Sequence, residues 1–573
     1  MTGFLRIFLV CVLLFAPLTA CVPRGGTVSP DSAAQPIYAR NGMVVTQAAT
    51  ATRVGVEILQ QGGNAVDAAV AIGFTLAVIL PQAGNLGGGG FMIVHIAKTG
   101  ETIAIDYRET APARSTRDMF LDSEGNAVEQ RSRFTHLSVG VPGTVAGLSL
   151  ALKKYGTMTL PQVMAPAIRL AEQGFPVTLP LSASLRKNRE TLLRWPETVN
   201  IFFKEDGALY GPGDVLQQKD LAWSLNEIAK QGPQAFYRGA IAKKLAEEMK
   251  NNAGLMTLED LQNYRAVIRE PVRGTYRGYE IVSMPPPSSG GIHLIQMLNI
   301  LEGYPLRSLG AKSAGTLHLL AESMKLAYAD RSRHLGDPDF WKVPMRGLLS
   351  KSYADQLRKS IERDRAKPSK EIRPGNPLPY ESFETTHFSV MDREGNAVAN
   401  TYTLNFSYGS GIVAGGTGIL LNNEMDDFSA KPGVPNAYGL VGGKANAVQP
   451  LKRPLSSMTP TLVFKDGKPF LATGSPGGSR IITTTLQLIL NVVDHEMNIA
   501  DATRSPRIHH QWLPDQLEVE PGFNRETLSA LADKGHLIAE TEPIGSTQSI
   551  LRRANGFYGA SDPRRPGALA KGY

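Results

Sequence analysis

Cysteine is nearly absent: Cys11 and Cys21 are the only two in 573 residues. Both fall at the very start, so the body of the chain has no thiol pair for an internal disulfide. Long basic tracts are also missing. The net charge is +8 and the pI about 9.2, but Lys and Arg are scattered, with no aromatic-interleaved stripe. That pattern argues against nucleic acid as a partner; a surplus that keeps the chain soluble accounts for it. The sequence contains no HExxH zinc motif, no GxxxxGK[ST] phosphate loop and no GxSxG nucleophile elbow. The His509–His510 pair has no nearby ligand cluster, so no metal and no cofactor are expected. No internal repeat occurs. The longest internal apolar run, in AVDAAVAIGFTLAVILP (65–81), is shorter than the roughly 20 residues a spanning helix needs. It reads as a helix buried in a large core.

The N-terminus has the opposite character. Arg6 precedes the apolar run IFLVCVLLFA, which ends at LTAC, residues 18–21. A charged start, a short apolar stretch and small residues describe a secretory signal over 1–20. Cys21 resembles the lipidated cysteine of a bacterial lipobox, which implies acyl chains and a stable membrane anchor. No Asp follows Cys21, which points to an outer membrane facing the periplasm if the source is Gram-negative; an ordinary signal peptidase site with an incidental cysteine is the alternative. Residues 21–36 read as a polar tether.

Beyond the tether, apolar spacing predicts strands at MVVTQ, FMIVHI, TIAIDY and YEIVSM. It predicts helices at LPQVMAPAIRLAEQG, AIAKKLAEEMKNN and AGTLHLLAESMKLAYADRSRH. Residues 364–384 carry four prolines, many charges and no periodicity, and read as an exposed loop. From 385 the chain turns strand-rich, then reaches a helix at ITTTLQLILNVVD. Strands and helices mixed through one long chain imply an α/β layered architecture, with sheets covered by helices.

The stretch ETTHFSVMDREGNAVANTYTLN (384–405) reads as a β-hairpin turning at Asp392–Asn396, with Gly395 available for positive φ. Placing Asp392 opposite Asn396 sets Thr385 opposite Thr403. Alternation then gives one polar face of Thr385, His387, Ser389, Thr401, Thr403 and Asn405. The other face, with Phe388, Val390, Val398, Tyr402 and Leu404, is apolar. A threonine gains nucleophilic power as the first residue of a chain, where its α-amine serves as base. Thr385 follows an exposed loop that tolerates a chain break. The plain alternative is that β-branched residues suit strands.

Seven motifs then align in order: NLGGGGFM (85–92), DYRETAP (106–112), TTHFSVMD (385–392), TYTLN (401–405), LLNNEMDDFS (420–429), RPLSSMTPT (453–461) and GSPGGSR (474–480). Together they resemble the γ-glutamyltransferase (γ-glutamyltranspeptidase) family along nearly all of the chain after the tether. The resemblance implies an αββα sandwich of the N-terminal-nucleophile hydrolase type. It implies self-cleavage at Glu384–Thr385 into a large subunit (37–384) and a small one (385–573), interleaved in one domain. Thr385 is the implied nucleophile and Thr403 its hydroxyl partner. Gly477 and Gly478, near a helix start, suit an oxyanion hole; turn glycines without a role are the alternative. A γ-glutamyl donor carries an amino-acid head whose carboxylate and ammonium both need partners. Arg108, Ser456 and Ser457 fall where the family holds the carboxylate. Glu424, Asp427 and Asn405 fall where it holds the ammonium. Singly, these residues are also ordinary surface, loop or turn groups. Residues 432–443 resemble the family's lid loop, with Tyr438 at its tip over the donor pocket.

The implied activity is hydrolysis of glutathione or similar γ-glutamyl compounds, with transfer to water, amino acids or peptides. A cephalosporin (glutaryl) acylase of the same superfamily is the nearest rival; the full set for an amino-acid head argues against it. An uncleaved lipid-anchored binding protein is a further alternative, and the presence of both Thr385 and Thr403 argues against that.

Overall fold

The structure, a computed structural model, describes residues 34–377, 388–431 and 433–573. Cys21, Glu384 and Thr385, with the signal and most of the tether, lie outside the described residues.

Two seven-stranded antiparallel sheets stack face to face. In the first, the spatial order is Leu569–Gly572, Met43–Thr46, Phe388–Met391, Ala397–Thr403, Gly89–Ile96, Glu101–Tyr107 and Val267–Arg269. In the second it is Ile37–Ala39, Gly556–Ser561, Gln548–Arg553, Lys468–Thr473, Thr461–Lys465, Tyr279–Ser283 and Val272–Tyr276. Each sheet takes strands from both before and after position 384. Phe91, Ile93, Met391 and Ala399 of the first sheet meet Val282, Leu462, Phe464 and Ile550 of the second in an apolar layer. Helices Ala49–Gln60, Ala65–Ile79 and Thr144–Tyr155 cover the outside of the first sheet, and Gly290–Leu301 covers the second. The result is the helix–sheet–sheet–helix sandwich.

The helix Ala65–Ile79 is buried at all 15 positions. Its start is fixed by Asn64, whose side chain accepts from the N–H groups of Val66 and Asp67, while Asp67 reaches back to the Asn64 N–H. Neighbouring helices surround it, so no polar face was needed in its sequence. Among the described residues, no helix is long and apolar enough to cross a membrane.

The hairpin has the expected register: Phe388 faces Asn400, Val390 faces Val398 and Met391 faces Ala397. Asp392 makes the turn. Its N–H donates to the Asn396 carbonyl at 3.1 Å, its carboxylate accepts the Asn396 N–H at 2.9 Å, and Gly395 takes φ +94°. The faces differ from the alternation reading in one respect. The supposedly polar face looks onto the second sheet, and its middle is apolar: Met391, Ala397 and Ala399 belong to the layer between sheets. Ser389 is accommodated there by donating to the Gln548 carbonyl at 2.9 Å. Only the end away from the turn, at Thr401 and Thr403, opens onto a cavity. Asn405 lies past the strand end with φ +77° and so leaves the alternation altogether.

A second correction concerns 364–377, which is not simply exposed. Ser369 and Ile372 are buried. Asp515 accepts from the Ser369 N–H and hydroxyl at 2.8 and 2.7 Å, Lys325 donates to the Lys367 carbonyl, and Asp330 accepts from the Gly375 N–H at 2.7 Å. Distant side chains satisfy this backbone, which no local pattern reveals.

The four-glycine run admits close backbone approach. A Cβ on Gly88 would lie 2.1 Å from the Thr403 carbonyl oxygen, and one on Gly90 would lie 2.4 Å from Tyr402 Cβ. Gly90→Ala is therefore expected to destabilise the fold by about 1–3 kcal/mol, as overpacked cores do. A lowered thermal midpoint checks this; an unchanged midpoint contradicts it.

Candidate active site

A cavity of about 490 Å³ opens where the strand Ala397–Thr403 ends. Its wall gathers Thr401, Thr403, Asn405, Glu424, Asp427, Tyr438, Ser456, Ser457, Gly477 and Gly478. Leu76, Leu80, Phe388 and Tyr402 line an apolar part of it. Residues drawn from five separate motifs thus share one space.

Thr403 is held on both sides. Its carbonyl accepts from Asn85 Nδ2 at 2.9 Å, and its Oγ1 accepts from the Asn405 N–H at 2.8 Å. Asn85 also accepts from the Gly88 N–H at 3.0 Å and the Thr144 hydroxyl at 2.7 Å. Asn405 donates from Nδ2 to the Asn423 carbonyl at 3.0 Å. Its left-handed backbone is one that asparagine tolerates better than most residues.

Gly477 and Gly478 precede the apolar helix Ile481–Val493 through one 3₁₀ turn. Both have positive φ, +136° and +57°. The Tyr438 ring lies against Gly478, and a Cβ there would come within 2.6 Å of the ring. Tyr438 donates from its hydroxyl to the Asn405 carbonyl at 2.9 Å, meets Phe406 edge-on and has its own carbonyl held by Gln511 at 3.1 Å. Asn436 shapes the loop beneath it, accepting from the N–H groups of Tyr438 and Leu440.

The charged groups assemble differently from the arrangement the resemblance implies. Arg108 is fully buried and does not line the cavity. Its guanidinium donates to Glu424, to Asp427 at 2.5 Å and to the Pro454 carbonyl at 3.2 Å. The groups assigned to opposite ends of one ligand are thus joined to each other here, as buried opposite charges. Glu109, which the motif reading passed over, sits 3.6 Å from Arg108. Neither of its carboxyl oxygens has a hydrogen-bond partner among the described residues. Burial raises Glu424 and Asp427 above the usual carboxylate range, and Arg108 opposes it. Three carboxyl groups thus gather around Arg108, with Arg331 also acting on Asp427.

Burial likewise pushes Glu109 up to about 7, against the pull of Arg108. An unfolded glutamate titrates near 4.3. Between those values the folded chain keeps a proton that the unfolded chain has lost. The contribution is therefore full below about pH 4 and falls away as pH rises through about 7. Glu109→Gln is expected to flatten the fall of the thermal midpoint over that window; an unchanged slope contradicts the assignment.

Arg331 is the second residue the motif reading missed. It lines the cavity and donates from Nη2 to the Ser457 hydroxyl at 3.1 Å. Its signal was hidden, since a basic residue near a helix end ordinarily reads as a solvated charge. Among the described residues, one cluster with metal-ligand chemistry occurs elsewhere: His318, Glu322 and His536, all buried. There Lys325 faces Glu322 at 2.5 Å, and the two imidazoles bond each other at 2.8 Å.

Residues 51–572 match the family described as Gamma-glutamyltranspeptidase. A glutathione hydrolase proenzyme of Escherichia coli K12 is 58% identical over 539 residues, covering 94% of this chain and 93% of that protein. A Helicobacter pylori gamma-glutamyltranspeptidase structure is 46% identical with a TM-score of 0.58, over 59% of this chain and 97% of that one. A cephalosporin acylase structure from Bacillus halodurans is 28% identical with a TM-score of 0.84, over 98% of this chain and 99% of that one.

Proposed function

The chain belongs to the gamma-glutamyltranspeptidase family, and on that premise we propose that it is a glutathione hydrolase and γ-glutamyltransferase working through Thr385. The observation that carries this reading is the single cavity that unites Thr403, the Gly477–Gly478 turn, Glu424, Asp427 and the Ser456–Ser457 pair.

In maturation, Thr385 Oγ attacks the Glu384 carbonyl carbon. The C–N bond breaks, an ester forms and the Thr385 amine is released. Water then cleaves the ester, giving the Glu384 carboxylate and a free N-terminal threonine. In turnover that α-amine, with an unperturbed pKa of about 7.7–8.0, takes the Oγ proton. Oγ adds to the γ-amide carbonyl carbon of the donor, and the N–H groups of Gly477 and Gly478 face the developing oxyanion. Collapse expels the amine, cysteinylglycine in the case of glutathione, with the proton returned to its nitrogen. Water or an acceptor's α-amine then attacks the γ-glutamyl ester and restores Thr385.

The donor's ammonium fits the two acids on the cavity wall, Glu424 and Asp427. A glutaryl group has no ammonium to offer them, which favours γ-glutamyl donors over the acylase reading. Release of a chromogenic amine from a γ-glutamyl anilide tests this. Inert γ-glutamyl donors beside rapid glutaryl-cephalosporin hydrolysis would reverse the assignment. We propose further that Cys21 carries the lipid anchor at the outer membrane; a Cys21→Ala protein that stays with the membrane fraction contradicts it.

A further inference from the structure

The carboxylate of a γ-glutamyl head has to be met by positive charge if it is buried in this cavity. Arg108 is the family-implied partner, yet each of its three nitrogens already donates, to Glu424, Asp427 and the Pro454 carbonyl, and it does not line the cavity. Two other cations line the cavity, Arg565 and Arg331; the one bonded to the serine pair is Arg331, near the end of the helix Ala314–His334 and only 6% exposed.

Two of its contacts lead to the 456–457 turn. Nη2 donates to the Ser457 hydroxyl at 3.1 Å, which uses an acceptor site on that oxygen. Nε donates to the Ser289 hydroxyl at 2.9 Å, and Ser289 in turn donates from its hydroxyl to the Ser456 carbonyl at 2.8 Å and from its N–H at 3.0 Å. One guanidinium thus grips the 456–457 turn twice, once directly and once through Ser289. A hydroxyl that accepts from a cation becomes a stronger donor through its own hydrogen.

We propose that Arg331 is the positioning residue for carboxylate recognition, orienting Ser456 and Ser457 and supplying through Ser457 the positive charge that the donor's α-carboxylate requires. The inference rests on the γ-glutamyl reading above. It assigns Arg331 no part in the bond-making steps. Its loss therefore weakens binding of the head group and leaves the chemistry of Thr385 in place.

The test is a double-mutant cycle of Arg331→Ala and Ser457→Ala on the mature enzyme, with kcat and KM for a γ-glutamyl anilide and the inhibition constant of L-glutamate. Arg331→Ala is expected to raise KM and the glutamate constant by about 30-fold, the size of a charge-assisted contact, while kcat stays within about threefold. The double variant should be no more than about threefold worse than the worse single one, because the two residues act on one contact. Arg331→Lys, which keeps the charge but not the fork, should recover part of the loss. Additive effects, or a fall in kcat at unchanged KM, would overturn the inference. If Arg331→Ala fails to mature, Arg331→Lys decides: wild-type KM with that variant overturns it as well. A wild-type enzyme inert to γ-glutamyl donors would fail the underlying reading instead, which separates the two.

Discussion

Thr385→Ala is expected to leave the precursor uncut and to abolish γ-glutamyl transfer. In the proposed mechanism the same Oγ serves both reactions, so losing one atom removes both. Removing the nucleophile of a hydrolase that acts as a unit costs up to about 10⁶ in kcat. A loss of at least about 10⁴ is expected here, since the cavity still binds the donor without a group to attack it. Electrophoresis reports the cleavage and anilide release reports the turnover. Thr385→Ser keeps the hydroxyl and the future α-amine, so it should still be cut. An alanine variant that splits at the same bond, or that keeps activity within tenfold of wild type, removes Thr385 from both roles.

Gly478→Ala is the second large effect. Two separate costs meet at this residue. Its φ of +57° is left-handed, which costs an L-residue roughly 1–2 kcal/mol. Its Cβ would stand 2.6 Å from the Tyr438 ring, so the lid tyrosine or the turn must shift. Either shift re-aims the N–H groups of 477 and 478. Losing one oxyanion donor typically lowers kcat by about 10²–10³, and a fall of that size is expected. Gly478→Ala/Tyr438→Ala separates the causes. It relieves the collision with the ring but keeps the strained backbone. If the double variant regains nearly all activity, the loss came from the lid and not from the oxyanion turn. Steady-state kcat on a γ-glutamyl anilide measures all three proteins.

Much of the scaffold that holds these groups was legible because local chemistry decides it. Asp392, Gly395 and Asn396 make a turn whose hydrogen bonds leave one register for the strands. The apolar run after Asn64 and Asp67 has its capping residues adjacent, so the buried helix Ala65–Ile79 announces itself. The strands and helices predicted from spacing likewise form at Gly89–Ile96, Glu101–Tyr107 and Ala314–His334. The αββα layering followed from the family resemblance and from the mixture of elements.

What escaped the sequence is long-range pairing between polar groups. Asn85 and Thr403 are 318 positions apart, and nothing near either predicts that one carries the other. Arg108 has the composition of a ligand-binding arginine, yet its partners here are Glu424 and Asp427, more than 300 positions away. Arg331 lies near the end of a helix, where a basic residue ordinarily reads as a solvated charge. The segment 364–377 looked like an exposed loop because its prolines and charges say nothing of Asp515, Lys325 and Asp330 waiting for its backbone. Alternation misjudged the hairpin for a related reason. A face that looks onto a second sheet is largely apolar in the middle, where Ser389 needs the Gln548 carbonyl, and it opens onto the cavity only at Thr401 and Thr403.

The most direct measurement is the mass of the small fragment from enzyme quenched during turnover of a γ-glutamyl anilide. The account predicts a fragment that begins Thr-Thr-His-Phe and, in part of the sample, carries one added glutamyl group on Thr385. A fragment that begins elsewhere, or a glutamyl group attached to any other residue, would contradict it.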